Sequence, residues 1–566
     1  MKIRKILGIS LLSLLVMLIV LFALVNPYLE KRVKATLQTY INTSPDRPYD
    51  YDYQSMHVQV LRGNIWLKGV QIKPRSGITD KLDQNNVPFI IDAETDTVAL
   101  TGLSIYQLLV KGAVKIDRIL VSDLQFRYLS NSLYQNPDTT KKEPFVLKDV
   151  FSDNLKQVSI GCFELRNIKV FMDDIKTPDS LLVRFDSGNI LWRDIYTDST
   201  IMGGLQPFTY SSLTMSARHF EGHMVKDHNI QVDSFSLSTG DARIELHGVD
   251  FAPLGFSFAS KAKQPMRSVN AIAAKDLVMT GLNFDSWMEH GRLDVAHVHA
   301  NQPVVKVSLD QRWPKPMFER VFLSQRVRSI PFPVKIDTIT ADGGYIYYRE
   351  IFNDGKPPLE ITFNEAKVEV FNVCNDPKVL AERPDLVFTA AAKLLNSGQL
   401  VVRTVFPILD TLNSFDARIK IGAMPLTAFN PILEDQMKAR LSGQMNTMAM
   451  KFNANKYGSW GDFIFDYSGL KMEFYKEKET KSGTREKKNW LINSLVNPVL
   501  RTDNNRSSPN FKSGFIEYSR PLDVSFFGLV WQSIKDGMVS TLVPGKSEKA
   551  EMKRKAKEAK KAEKRN

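Results

Sequence analysis

Short runs in which apolar and polar residues alternate occupy most of this chain. From Tyr51 onward the dominant period is two, that of a β-strand with one buried face. His57 to Ile72 predicts a hairpin. Val58 and Val60 share one face, and Ile65 and Leu67 share one face across the Arg62-Gly63-Asn64 turn. The same grammar returns along the chain. Val114-Lys-Ile-Asp-Arg-Ile119 is followed by Tyr128, and Val334-Lys-Ile-Asp-Thr-Ile339 is followed by Tyr348. Looser copies start at Val158, Ile230 and Leu293. Each copy sets two apolar residues two apart and a third one three further on. That spacing flips the apolar face unless the strand bulges or breaks, so a bulge or break is predicted near Asp117 and Asp337. The copies are degenerate and unevenly spaced, unlike a tight repeat array.

Other periods mark the exceptions. Ile6 to Val25 is a run of twenty residues without a charged side chain. At about 1.5 Å per residue it spans the roughly 30 Å of a hydrocarbon core. A cleaved signal peptide is the competing reading, and it needs a small-x-small cleavage site. The run instead exits through Leu24-Val25-Asn26-Pro27, so an uncleaved transmembrane helix is expected. Lys2, Arg4 and Lys5 favour a cytoplasmic N-terminus, while Lys31, Arg32 and Lys34 oppose that orientation. Leu29, Val33, Leu37 and Ile41 predict a membrane-proximal helix. Short helices are expected over Leu103 to Leu109 and over the Pro-flanked stretch from Trp313 to Arg328. An amphipathic helix is expected from Val524 to Val543, with Phe527, Val530, Trp531, Ile534, Met538 and Leu542 on one stripe. The charged stretch Lys476 to Lys488 reads as a solvated hairpin tip.

These patterns divide the chain into a cytoplasmic N-terminus (1–5), a transmembrane helix (6–25) and a membrane-proximal helix (26–42). An N-terminal β region (43–310), a C-terminal β region (311–523), an amphipathic helix (524–545) and a basic tail (546–566) follow. The fold class expected is mainly β: a transmembrane helix, then an elongated, curled antiparallel sheet with few helices.

Composition adds the distribution of charge. The net charge is +13, and the tail alone carries ten Lys/Arg against four Glu. The body is only mildly basic, which argues against a nucleic-acid surface. The tail is either a solvated segment or a contact with anionic headgroups. Cys162 and Cys374 sit in no metal-spaced motif; they either bridge or stand as separate thiols.

Catalytic chemistry is not evident. His219, His223 and His228 lack the H-E-x-x-H order, and Gly222 disfavours a helix there, so surface histidines in a loop are expected. His297 and His299 share one strand face with no cysteine or carboxylate partner evident. No phosphate-binding glycine loop or G-x-S-x-G elbow occurs. Asp117, Asp233 and Asp337 recur at one position of the strand grammar, which suits a turn or bulge better than one active site. Neither enzyme activity, a cofactor nor a metal is therefore expected.

The order of elements carries a resemblance. Val98-Ala-Leu-Thr-Gly-Leu-Ser-Ile-Tyr-Gln-Leu-Leu109 and then Lys115-Ile-Asp-Arg-Ile-Leu-Val121 resemble the N-terminal module of AsmA-like proteins of Gram-negative bacteria. That family often has a proline after this strand, where this chain reads Ser122-Asp123-Leu124. Leu426 to Ile432, Tyr467 to Phe474, Gly514 to Arg520 and Phe526 to Gly537 resemble the family's C-terminal β region. The resemblance implies an inner-membrane, single-pass protein with its bulk in the periplasm and an apolar β-groove. It also implies a role in outer-membrane lipid homeostasis through phospholipid binding or transport.

Alternation alone leaves two structures open, because a one-faced sheet is covered either by a second sheet or by acyl chains. If the sheet is a groove, Val114, Ile116, Val334 and Ile336 are the candidate lipid-facing residues, with phospholipid as the partner. The other functional reading is a scaffold or assembly factor that holds envelope proteins on the same surface.

Overall fold

The computed structural model describes residues 48–59, 62–134, 156–174, 181–198, 200–201, 207–225, 228–260, 262–264, 266–315, 318–354, 356–480, 483–489 and 501–542. The expected cytoplasmic N-terminus, transmembrane helix, membrane-proximal helix and basic tail lie outside these residues. Among the described residues no helix is long and apolar enough to cross a membrane. The described chain is mainly β, as its alternation predicts. It forms two compact units. The first holds residues up to Asp250 together with Phe284–His290, and the second holds Phe251–Asn283 and everything from Gly291 onward. The sequence pattern had divided the β region at 310/311.

The first unit contains β1 (Tyr49–Asp52), β2 (Ser55–Gln59), β3 (Asn64–Pro74), helix α1 (Ser76–Asp83), β4 (Phe89–Thr101), helix α2 (Ile105–Lys111), β5 (Ala113–Ser122) and β6 (Gln125–Ser130). β7 (Gln157–Asp174), β8 (Leu181–Asp198), β9 (Ser212–Val225), β10 (His228–Ser238) and β11 (Arg243–Pro253) follow, with helix α3 (Phe284–His290). The predicted hairpin is β2 with β3, in which Val58 pairs with Ile65 and Met56 with Leu67. α2 begins at a Ser104 cap, whose hydroxyl accepts from the Gln107 amide, and stops at left-handed Gly112. Pairings are antiparallel from β3 to β4 and from β7 through β10. β5 and β6 act as one interrupted strand. Both run antiparallel to β4 and parallel to β7.

The second unit repeats that cassette. β12 (Ser268–Leu282) pairs antiparallel with β13 (Leu293–Asn301) and β14 (Val304–Asp310), and both of these run parallel to β15 (Val334–Ile351). Helix α4 (Leu323–Arg328) lies in the crossover. A meander follows: β16 (Leu359–Cys374), helix α5 (Pro377–Glu382), β17 (Asp385–Leu394), β18 (Gly398–Pro407), β19 (Phe415–Ile421), β20 (Met424–Pro425), helix α6 (Asn430–Met437), β21 (Ala439–Asn455), β22 (Gly458–Thr480), β23 (Gly483–Lys488) and β24 (Gly514–Ser519). Helix α7 (Phe526–Leu542) ends it. In β19 buried and exposed residues alternate at every position of Phe-Asp-Ala-Arg-Ile-Lys-Ile.

Three sequence expectations change. The helix expected from Trp313 starts only at Leu323: Pro314 and Pro316 disfavour helical backbone before them, and the Arg320 amide is taken by Leu522 O. The hairpin expected over Lys476 to Lys488 is present, but as a paired ladder rather than a loop, with Tyr475 opposite Lys488 and Thr480 opposite Gly483. The apolar stripe assigned to α7 holds in part. Val530, Ile534, Met538 and Leu542 pack on the core with Phe526 and fully buried Leu529, while Phe527 and Trp531 face outward.

The predicted change of face at Asp117 and Asp337 is present without an inserted residue. In the ladder of β5 with β7, Ile116 pairs with Ile160 and Arg118 with Cys162, so the register holds on both sides of Asp117. The irregularity lies in the neighbours. Gly102 (φ 70°) stands next to Asp117, and Asp194 (φ 52°) stands opposite Gly161. The second unit has the same line: Gly281 (φ 65°) against Ala296, then Asp337 against Asn372 (φ 61°). A second line follows six residues later on the forward strands. Asp123 and Asn167 are left-handed in the first unit, and Gln302 and Gly343 in the second. The bonds match as well. Asp123 N donates to Arg166 O at 2.9 Å, and Gln302 N donates to Asp342 O at 2.8 Å.

Each line resets which residues face the core. In β7, Val158 and Ile160 are buried before the first line, Phe163 and Leu165 between the lines, and Ile168 after the second. At the first line adjacent strands change face together and the pairing is kept; at the second the register of β7 with β8 shifts between Leu165 and Val170, and that of β15 with β16 between Ala341 and Ile346.

Candidate functional site

Register turns the alternation into apolar ladders that run across the strands. In the first unit one ladder joins Met56, Leu67, Val98, Val121, Leu165, Ile190, Met215 and Leu237, each paired with the next. A parallel ladder joins Ile65, Leu100, Ile119, Phe163, Trp192 and Leu213. Both lie between the two kink lines.

The ladders change character along their length. From Met56 to Leu165 the side chains are buried, with exposures of 7% or less. From Ile190 to Leu237 they are half-buried. The buried part forms one core with Leu103, Val114, Ile116, Val158 and Ile160. Trp192 packs edge-on against Phe208 and Tyr210, with ring centroids 5.1 and 5.6 Å away.

In the second unit a ladder runs from Leu277 through Ala300, Ala341, Val368, Ala390, Val402, Ile419 and Met450 to Phe463. Here the half-buried stretch comes first, and the buried one begins at Ile419. α7 covers the buried stretch. Gly537 lies against the Phe463 ring, where a β-carbon would overlap it, and the Ser533 and Ser459 hydroxyls bond at 2.7 Å. Phe526 meets Phe415 at 5.2 Å and Phe322 at 6.2 Å between ring centroids.

The four candidate lipid-facing residues therefore fall in different settings. Val114 and Ile116 are each 1% exposed, inside the covered core of the first unit. Val334 is buried in the second unit. Ile336 is half-buried, on a ladder with Leu282, Val295 and Val373. The accessible apolar positions on these ladders are Ile190, Met215 and Leu237 in the first unit, and Ile336 with the stretch from Leu277 to Val402 in the second. Nothing in the sequence singles them out, because their alternation is the same as that of the covered strands.

The opposite face is polar. Burial pushes the Glu164 carboxyl up, but hydrogen bonds from Arg166 and Arg118 outweigh it and hold the carboxyl below its ordinary range. Lys335 lies 3.4 Å from Asp294 and 3.3 Å from Asp337. A pocket of about 430 Å³ in the first unit is lined by the ladder residues Ile190, Met215 and Leu237 as well as by Glu164, Arg243 and Glu245. His219 and His223 lie on β9 and His228 on β10, not in a loop. His297 and His299 both contact the Thr340 hydroxyl, at 2.7 and 2.9 Å. Among the described residues no group of three or more His, Cys, Asp or Glu side chains could hold a metal ion. Cys162 and Cys374 are both free, and burial raises both thiols. Asp117, Asp233 and Asp337 all sit on the first kink line, Asp233 against left-handed Gly248. Compared with known proteins, the sequence matches no family model and no curated protein.

Proposed function

We propose that this is a non-enzymatic, membrane-anchored AsmA-like protein that binds or conducts phospholipid along its apolar sheet face and so contributes to outer-membrane lipid homeostasis. The observation that carries the reading is the half-buried end of each unit's ladder. A ladder perpendicular to the strands offers an acyl chain a continuous apolar track. Burial on it contributes about 0.8 kcal/mol per methylene, with no directional bond fixing the chain to one place. The kink lines on either side of the ladders support a trough, because left-handed residues bend strands locally. The run from Ile6 to Val25 would hold the protein in the inner membrane, with its β part in the periplasm. The family resemblance points the same way.

Photocrosslinking in native membranes tests the reading. A photoreactive residue replaces Met215 or Ile336, with Thr214 and Lys335 as polar-face controls and Ile116 as a buried control. Phospholipid adducts at Met215 and Ile336 alone are expected. Folded protein that yields only protein adducts there would replace lipid transport with a scaffold for envelope components.

A further inference from the structure

We infer that one end of the second unit is a contact surface for an anionic phospholipid bilayer. Four turns and a helix start meet there. Arg520 is 5% exposed, and its guanidinium donates to the carbonyls of Val524, Lys456 and Arg320 at 2.8 Å and of Leu522 at 3.2 Å. Arg520 N donates to Tyr457 O, Arg320 N to Leu522 O, and Lys456 N to Leu412 O. These bonds draw residues far apart in sequence into one rim.

The rim is apolar and outward-facing. Phe318 is 60% exposed, Leu412 43%, Tyr457 59%, Leu522 44% and Phe527 79%, with Trp531 (53%) one helical turn further along α7. Cations are stacked on its rings: Arg320 lies 5.0 Å from the Phe318 centroid and Lys456 lies 5.2 Å from that of Tyr457.

This chemistry favours a bilayer over a protein partner. Aromatic rings with basic heads beside them suit the boundary between headgroups and acyl chains, where the ring enters and the cation meets phosphate. Arg520 satisfies four carbonyls that the turns would otherwise carry into a water-poor contact. The charge is complementary as well. Arg320 and Lys456 supply positive charge at the rim itself, beside Glu319 and Asp523, and the chain as a whole is +13. Each basic residue near an anionic surface contributes about 1 kcal/mol. Nothing in this inference depends on the ladder holding lipid.

The test uses the full chain in phosphatidylcholine proteoliposomes with a photoreactive residue at Leu522. Added target vesicles contain equimolar phosphatidylcholine and isotopically labelled phosphatidylglycerol, so lipid captured from the target is told apart by mass. Labelled adducts several-fold above those from the same probe at Val401, 48% exposed on a strand, are expected. They should fall several-fold in phosphatidylcholine-only targets and in a Phe527→Ser, Trp531→Ser variant of unchanged Tm. Adducts no greater than at Val401, adducts to protein alone, or insensitivity to the double substitution would each overturn the inference. Adducts at Met215 without adducts at Leu522 would leave the ladder reading standing and remove this one.

Discussion

Gly102 and Asp117 face each other where β4 gives way to α2: Gly102 is left-handed, and a β-carbon on it would overlap the Asp117 carboxylate. The pair marks where β5 changes its apolar face. Gly102→Ala imposes both a left-handed L-residue and that overlap, and should lower stability by about 2 kcal/mol or more. Gly102→Ala with Asp117→Ala should recover only the carboxylate's share of the overlap, because the β-carbon at 117 remains 2.6 Å away. Gly77→Ala in α1, where a β-carbon meets nothing within 4 Å, should be neutral or stabilising by up to about 1 kcal/mol. Thermal unfolding of the three variants gives the comparison.

Arg520 holds four backbone carbonyls. Arg520→Met strands them and should cost about 3 kcal/mol or more. Arg520→Lys should restore little, since an ammonium cannot reproduce the planar fork. Hydrogen exchange should rise first at the amides of Arg320 and Lys456, which donate to Leu522 O and Leu412 O.

Asp310 is fully buried and bonds Arg312 at 2.7 Å. The hydrogen bond from Arg312 outweighs burial and holds its carboxyl at about 2. A lowered folded value means that this stabilisation is complete above the unfolded value of 3.8 and is lost as pH falls toward 2. Asp310→Asn should therefore destabilise the protein at neutral pH by about 2 kcal/mol. The difference from the parent should shrink across that acid window. Unfolding midpoints measured at several pH values provide the check, and a pH-independent gap would count against the ion pair.

Gly537→Leu drives a side chain into the Phe463 ring and should lift α7 from β22. Increased binding of an apolar dye together with a lower Tm is expected. A folded variant with unchanged dye binding would mean that α7 does not cover the ladder.

Much of this fold is legible in the sequence, and the reasons are local. Period-two alternation gives the strands, and the fourth residue of each strand-grammar copy (Asp117, Gly161, Asp233, Ala296 and Asp337) lies on a kink line. The left-handed partners were not legible. Gly102, Asp194, His219 and Asn372 share no residue type, and each is defined by what stands across the ladder. The extent of covering was not legible either. Val114 and Met215 carry the same alternation, yet one is buried and the other half-exposed, because cover is a long-range property. Prolines limited α4, and the small residues Ser533 and Gly537 set which side of α7 packs, against the larger Phe527 and Trp531.

The paired kink lines also limit what a sequence error can do. In an uninterrupted strand, one inserted residue turns every later side chain to the wrong face. Here each β7 segment between lines carries only two core positions, Phe163 and Leu165, before the face is set afresh at Asn167. An extra residue is held to one band where a bulge at the next line absorbs it, and the ladder of β7 with β8 already carries such a shift between Leu165 and Val170.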